Sequence, residues 1–255
     1  MSAEVVAALI TAAVAAGWID AVVGGGGLIL IPALFIGQPG IAPACALATN
    51  KLAAVVGTAS AAWRYSRTVP LQWRRIVPVF ACAVVFSGAG ALVASRLPTE
   101  VFKPVLLVML VAVGLFVAVN PAFGSGASQK RSRVSTLCGL VLAGVVVAFY
   151  DGLMGPGTGT FLIVTLTALV GTDFLTSSAR AKVINTGTNL GALAVFAAQG
   201  HVLWLLGFAL AVGNVVGAQI GAHMALGRGS AFVRWVLLAV VVVMVTKVSV
   251  DLISG

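Results

Sequence analysis

Hydrophobic residues in this chain come in long, nearly unbroken runs. Runs long enough to cross a bilayer, roughly 20 residues each, lie near 4–23, 43–63, 76–96 and 101–119. They return near 135–154, 177–198, 202–225 and 230–253. Two shorter apolar pieces, 28–36 and 160–170, each follow a glycine-rich break. Lipid-facing backbone must satisfy its own hydrogen bonds, so the pattern predicts an all-α polytopic membrane protein. A membrane barrel would alternate apolar and polar positions over segments of about ten residues, and this chain does not.

The polar positions repeat. GWIDAVVGGGG at 17–27 returns as AFYDGLMGPGTG at 148–159. Asp20 and Asp151 lie 131 residues apart, as do Gly24 and Gly155, Gly26 and Gly157, and Lys51 and Lys182. The chain therefore divides into a first transmembrane repeat, 1–119, a polar basic linker, 120–134, and a second repeat, 135–255. Each homologous half holds about four spanning helices plus one short glycine-broken segment. Full crossing by the short piece gives five crossings per half and an inverted repeat; re-entry gives an even number and a parallel one. Arg64, Arg67, Arg74 and Arg75 flank one turn of the first half, whereas the matching turn of the second holds Gln199 and His201. The second half puts Arg228 and Arg234 at its next turn instead. That switch of the basic side favours inversion.

Composition narrows the classes. The chain is 60% hydrophobic and 8% charged, against about 25% charged for soluble domains. The net charge of +9 sits largely in short loops, where it sets orientation, so nucleic acid is excluded as a partner. The first run lacks a basic start and a clear cleavage site, and reads as a retained helix. Cys45, Cys82 and Cys138 form no pair and no cluster with His201 or His223, so no metal or cofactor is expected. There is no HExxH, no GxSxG and no phosphate-binding loop. An enzyme is therefore not expected, and nor is a nucleotide-driven pump.

The breaks carry the candidate chemistry. Glycine runs inside lipid leave backbone amides that protein, water or a ligand must cover. A helix starting there offers open N–H donors and a positive dipole end, which suits an anion. Gly24, Gly25, Gly26 and Gly27, and Gly155, Gly157 and Thr158 beside Pro156, are the candidate substrate-binding tips; close helix packing through small residues is the alternative. Lys51 and Lys182 either reach to the interface or supply fixed positive charge for an anion. Thr49, Asn50, Asn185 and Asn189 share their helices and could donate hydrogen bonds. Asp20 and Asp151 are either proton-coupling groups or structural partners and caps. Asn214 and Gln219 are polar enough to line a path.

These residues resemble a known family. GWIDAVVGGGGLILIPALF, ALATNKL (46–52), FYDGLMGPGTGTFL, AKVINTGTN (181–189) and GNVVGAQIGAHMAL are together similar to the sulfite-exporter-like TauE/SafE family of bacterial permeases, from about residue 12 to 251. The resemblance implies a multi-pass protein of the bacterial inner membrane with duplicated halves. It implies secondary transport, usually export, of small anions such as sulfite, thiosulfate or organosulfonates, by alternating access. Its expected partners are a small anionic substrate and the lipid bilayer, with a homo-oligomer left open. The competing readings are an anion channel and, more remotely, an intramembrane enzyme. The second half reads GPGTG where the first reads GGGG, so the half-sites are not expected to be equivalent.

Overall fold

A computed structural model describes residues 1–96 and 131–254 of the chain. The expected span at 101–119 and most of the linker at 120–134 lie outside the described residues. The described chain is helical: α1 Ala3–Val23, α2 Gly27–Gly37, α3 Pro43–Ser66, α4 Trp73–Ala94, α5 Arg133–Leu153, α6 Thr158–Val170, α7 Phe174–Ala198 and α8 Trp204–Ser254. Among the described residues, α1, α4, α5 and the stretch Trp204–Val233 of α8 are long and apolar enough to cross a membrane. α3 and α7 are also long, with 24 and 25 residues, but they carry the buried lysines.

Local sequence sets the helix ends. Ser2 and Ser132 cap α1 and α5 by accepting from Val5 N–H at 3.4 Å and Ser135 N–H at 3.1 Å. Asp173 caps α7 by accepting from Thr176 N–H at 3.0 Å. Pro43 opens α3, where its missing N–H costs nothing. Gly24 closes α1 in the left-handed conformation, at φ +83°, which glycine adopts without strain. Gly229, at φ +72°, breaks α8. Val77, Val85, Leu205 and Val212 point outward and are exposed, as a lipid-facing surface requires.

Helix directions follow from the close approaches of small residues. Gly213, Gly217 and Gly221 of α8 meet Ile10, Val14 and Trp18 of α1 in the same order. Gly207 of α8 meets Leu52, Asn214 meets Gly57, and Gln219 meets Arg64, so α3 also runs with α8. In the other set, Gly144 of α5 lies against Val79 and Gly152 against Ser87 and Ala91 of α4. Gly187 and Gly191 of α7 lie against Phe80 and Val84 of α4. Thus α1, α3 and α8 run one way, and α4, α5 and α7 run together. The two sets oppose each other. Tyr65 near the end of α3 and Ser178 near the start of α7 both bond the end of α1, while Ala48 and Leu52 pack with Ala192 and Phe196.

The short helices turn back. Gly26 lies against Ala16 and Gly37 against Leu9, so α2 retraces α1. Ser135 Oγ donates to Leu169 O at 2.8 Å, and Tyr150 packs on Phe161, so α6 retraces α5. α1 and α2 thus form one hairpin that returns the chain toward its starting side, and α5 and α6 form another.

Candidate functional site

The two hairpin tips meet. Gly159 N–H donates to Gly24 O at 3.1 Å. A methyl group on either glycine would overlap the other's backbone. The contact is possible only because both positions lack a side chain. Around it, the last four carbonyls of α1 are taken one by one from outside, that of Asp20 in addition to the capping Gly24 N–H at 2.8 Å. Lys182 Nζ donates to Asp20 O. Tyr65 Oη donates to Ala21 O, Ser178 Oγ to Val22 O and Thr160 Oγ1 to Val23 O, each at 3.0 Å.

The second tip is held by its own hairpin. Tyr150 Oη donates to Pro156 O at 2.6 Å. Thr158 Oγ1 reaches Asp151 Oδ1 at 2.6 Å and Gly155 O at 2.7 Å. Gly155 and Gly157 take left-handed φ values of +92° and +79°. A π-helical stretch, Leu142–Val147, precedes this tip and has no counterpart in α1.

Both lysines are buried to within 1% of full coverage, so neither reaches to the interface. Lys51 of α3 pairs with Asp151 of α5, and Lys182 of α7 with Asp20 of α1. Lys51 Nζ lies 2.7 Å from Asp151 Oδ2 and Lys182 Nζ 3.5 Å from Asp20 Oδ2. Isolated charges in this setting would cost several kcal/mol each, and pairing across the tips offsets that cost. These are the two ion pairs among the described residues.

Between the tips lies a polar cavity of ≈ 20 Å³. That is slightly more than one water needs. Of the residues singled out by sequence, Asp20, Gly24, Gly26, Gly27, Asn50, Lys51, Asp151, Gly155, Thr158, Asn185, Asn189 and Asn214 line it. Ala54 completes the wall. Thr49, Gly25, Gly157 and Lys182 are not on the wall. Thr49 Oγ1 accepts from Leu203 N–H at 3.3 Å, and Lys182 stands behind Asp20. Gln219 is spent on Arg64 and Ser60, away from the cavity.

Asn189 Nδ2 donates to Asn185 O at 2.8 Å, which leaves its own amide oxygen free to face the cavity. Asn214 Oδ1 is buried against Gly57 without a hydrogen-bond partner. Sequence reasoning missed Tyr65, Ser178 and Thr160. Tyr65 sits in the WRYSR stretch and reads as a basic loop, while the other two look like ordinary helix hydroxyls. Nothing local announces that they cap a helix from another part of the chain.

A helical membrane protein with a central polar cavity, closed by two glycine tips and two buried ion pairs, has the architecture of a transport protein. The chain belongs to the Sulfite exporter TauE/SafE family, whose model matches residues 9–248. It is 34% identical over 248 residues to the "Probable membrane transporter protein ORF9" of Sinorhizobium sp, covering 97% of this chain and 94% of that one. The "Probable membrane transporter protein" of Haemophilus influenzae is 34% identical over 248 residues, covering 97% and 96%. The "Probable membrane transporter protein YfcA" of Escherichia coli K12 is 34% identical over 239 residues, covering 94% and 87%. No solved structure matches the chain. The protein is thus a membrane transporter by family.

Proposed function

We propose that this protein is a secondary transporter of small anions, sulfur oxyanions or organosulfonates by preference, working by alternating access. The observation that carries the reading is the meeting of two helix-break tips, one from each half, at a small polar cavity. The starts of α2 and α6 lie at that cavity, and open helix N-termini favour negative charge. The cavity holds little more than one water, so an oxyanion needs the tips to part before it can bind. That need for opening favours a transporter over a channel.

The same reading takes 1–119 and 135–255 as inverted repeats, each beginning with a re-entrant hairpin. It is supported by matched starts: α3 and α7 begin 131 residues apart, as do α4 and α8, and the matched helices run in opposite directions. Arg64, Arg67, Arg74, Arg75, Arg133 and Arg228 gather at one set of helix ends, while Arg96 lies at the other. The arginine-rich side is accordingly the cytoplasmic one, in a bacterial inner membrane.

The test is uptake of labelled thiosulfate, sulfite and sulfoacetate into proteoliposomes. Saturable flux of one of these, competed by the others, is expected. Flux that rises linearly with driving force would support a channel, and no flux of any sulfur anion would defeat the substrate assignment.

A further inference from the structure

Two complete Lys–Asp pairs leave the cavity with no net charge, which is a poor starting point for holding an anion. The pairs are not equally tight. Asp151 is held by Lys51 at 2.7 Å and by Thr158 Oγ1 at 2.6 Å. The Asp20 carboxylate has only Lys182 at 3.5 Å and Gly26 N–H at 3.5 Å. The Lys182 ammonium donates instead to the backbone oxygen of Asp20. At the position matching Thr158 the first half has Gly27, so no hydroxyl replaces the missing contact. The Asp20 side chain is 12% exposed on the cavity wall, that of Asp151 3%. The groups facing Asp20 are Lys182 from α7, Tyr65 from α3, and Lys51 and Asp151 across the cavity.

We infer that Asp20 is a proton-binding site whose occupancy switches the cavity from neutral to cationic, making the proton the co-substrate. The inference rests on the anion-transport reading above. The balance is simple. One proton from water adds to a carboxylate oxygen of Asp20. Lys182 keeps its own protons and its bond to the Asp20 backbone oxygen. Lys51 and Asp151 still cancel, so the site gains one positive charge. One negative charge of the anion then neutralises it, and proton and anion leave together when the tips part on the other side. Asp151, held by Lys51 and Thr158, serves as a fixed strut.

The experiment uses the purified full chain in detergent, with thiosulfate and methanesulfonate as probes, since neither titrates near neutrality. Binding is read by thermal stabilisation from mildly acidic to mildly alkaline pH. A pH-indicator dye in weak buffer reads proton uptake. Affinity is expected to fall with rising pH, by up to about tenfold per unit, with about one proton taken up per anion bound where it falls. D20N, which mimics the protonated form, is expected to bind with a flat pH dependence and no proton uptake. D151N is expected to keep the slope. Wild-type binding without proton uptake, or a slope that survives in D20N, would overturn the proton site alone. Binding of neither probe at any pH would overturn the anion reading and the proton site with it. If D20N fails to fold, the wild-type proton count still decides.

Discussion

The two hairpin tips descend from one sequence pattern, yet they are built on different principles. The tip of α5 and α6 is braced by itself. Tyr150, Thr158 and Pro156 bond within the hairpin, and Asp151 is locked between Lys51 and Thr158. The tip of α1 and α2 is four glycines with no side chains of its own, and its carbonyls are held by Lys182, Tyr65, Ser178 and Thr160 from elsewhere. A tip that carries its own braces can move as a rigid unit. A tip whose braces lie on α3, α6 and α7 must change partners whenever those helices shift. Under the alternating-access proposal, the difference points to the α1–α2 tip as the element that would rearrange, with the α5–α6 tip as its anvil.

That contrast can be broken at its strongest point. Lys51→Met strands the buried Asp151 carboxylate, and losing one partner of such a pair costs about 3–5 kcal/mol. A large fall in Tm, or failure to accumulate in the membrane, is expected. The doubly neutral Lys51→Met/Asp151→Asn should recover most of it, and absence of rescue would show that the pair is not the source.

Gly24→Ala should come next. It places a methyl group on the Gly159 backbone and forces a left-handed angle that costs about 1–2 kcal/mol by itself. Expected outcomes are loss of flux and a lower Tm, whereas Gly40→Ala, where nothing lies within reach of the added methyl, lacks the steric component. Thr158→Val removes the hydroxyl that Asp151 uses, a hydrogen bond to a charged group worth about 1.5–3 kcal/mol. A Tm equal to wild type would mean the α5–α6 tip does not depend on its own braces. A smaller fall in Tm is expected for Asp20→Asn than for Asp151→Asn: it takes the carboxylate from the buried Lys182 ammonium, but that carboxylate makes only long contacts and the bond to the Asp20 backbone oxygen remains. A fall in Tm as large as that of Asp151→Asn would erase the asymmetry between the tips.

Much of the fold was legible in the chain. Unbroken apolar runs leave helices as the only means of satisfying backbone groups in lipid, and their predicted limits agree with the described helices to within a few residues. The break at Gly229 in α8 falls where the sequence separates the runs 202–225 and 230–253. The broken segments were legible from Gly24–Gly27 and Gly155–Gly157, but not the return of α2 along α1. That return depends on Leu9, Ala13 and Ala16 accepting Leu30 and Leu34 across the hairpin, and apolar residues do not announce their partners.

The sequence by itself determined that the protein lives in a membrane, that its polar residues recur at a spacing of 131, and that two lysines and two aspartates are the ones needing an explanation. Only the tertiary structure decided who pairs with whom. Lys51 takes Asp151 and Lys182 takes Asp20, each across the halves, and one pair is tight while the other is loose. The physical reason is that a charge in an apolar run states only a cost. What offsets the cost depends on distances of a few ångströms between residues 100 or more apart in the chain, and side-chain packing around two glycines sets those distances.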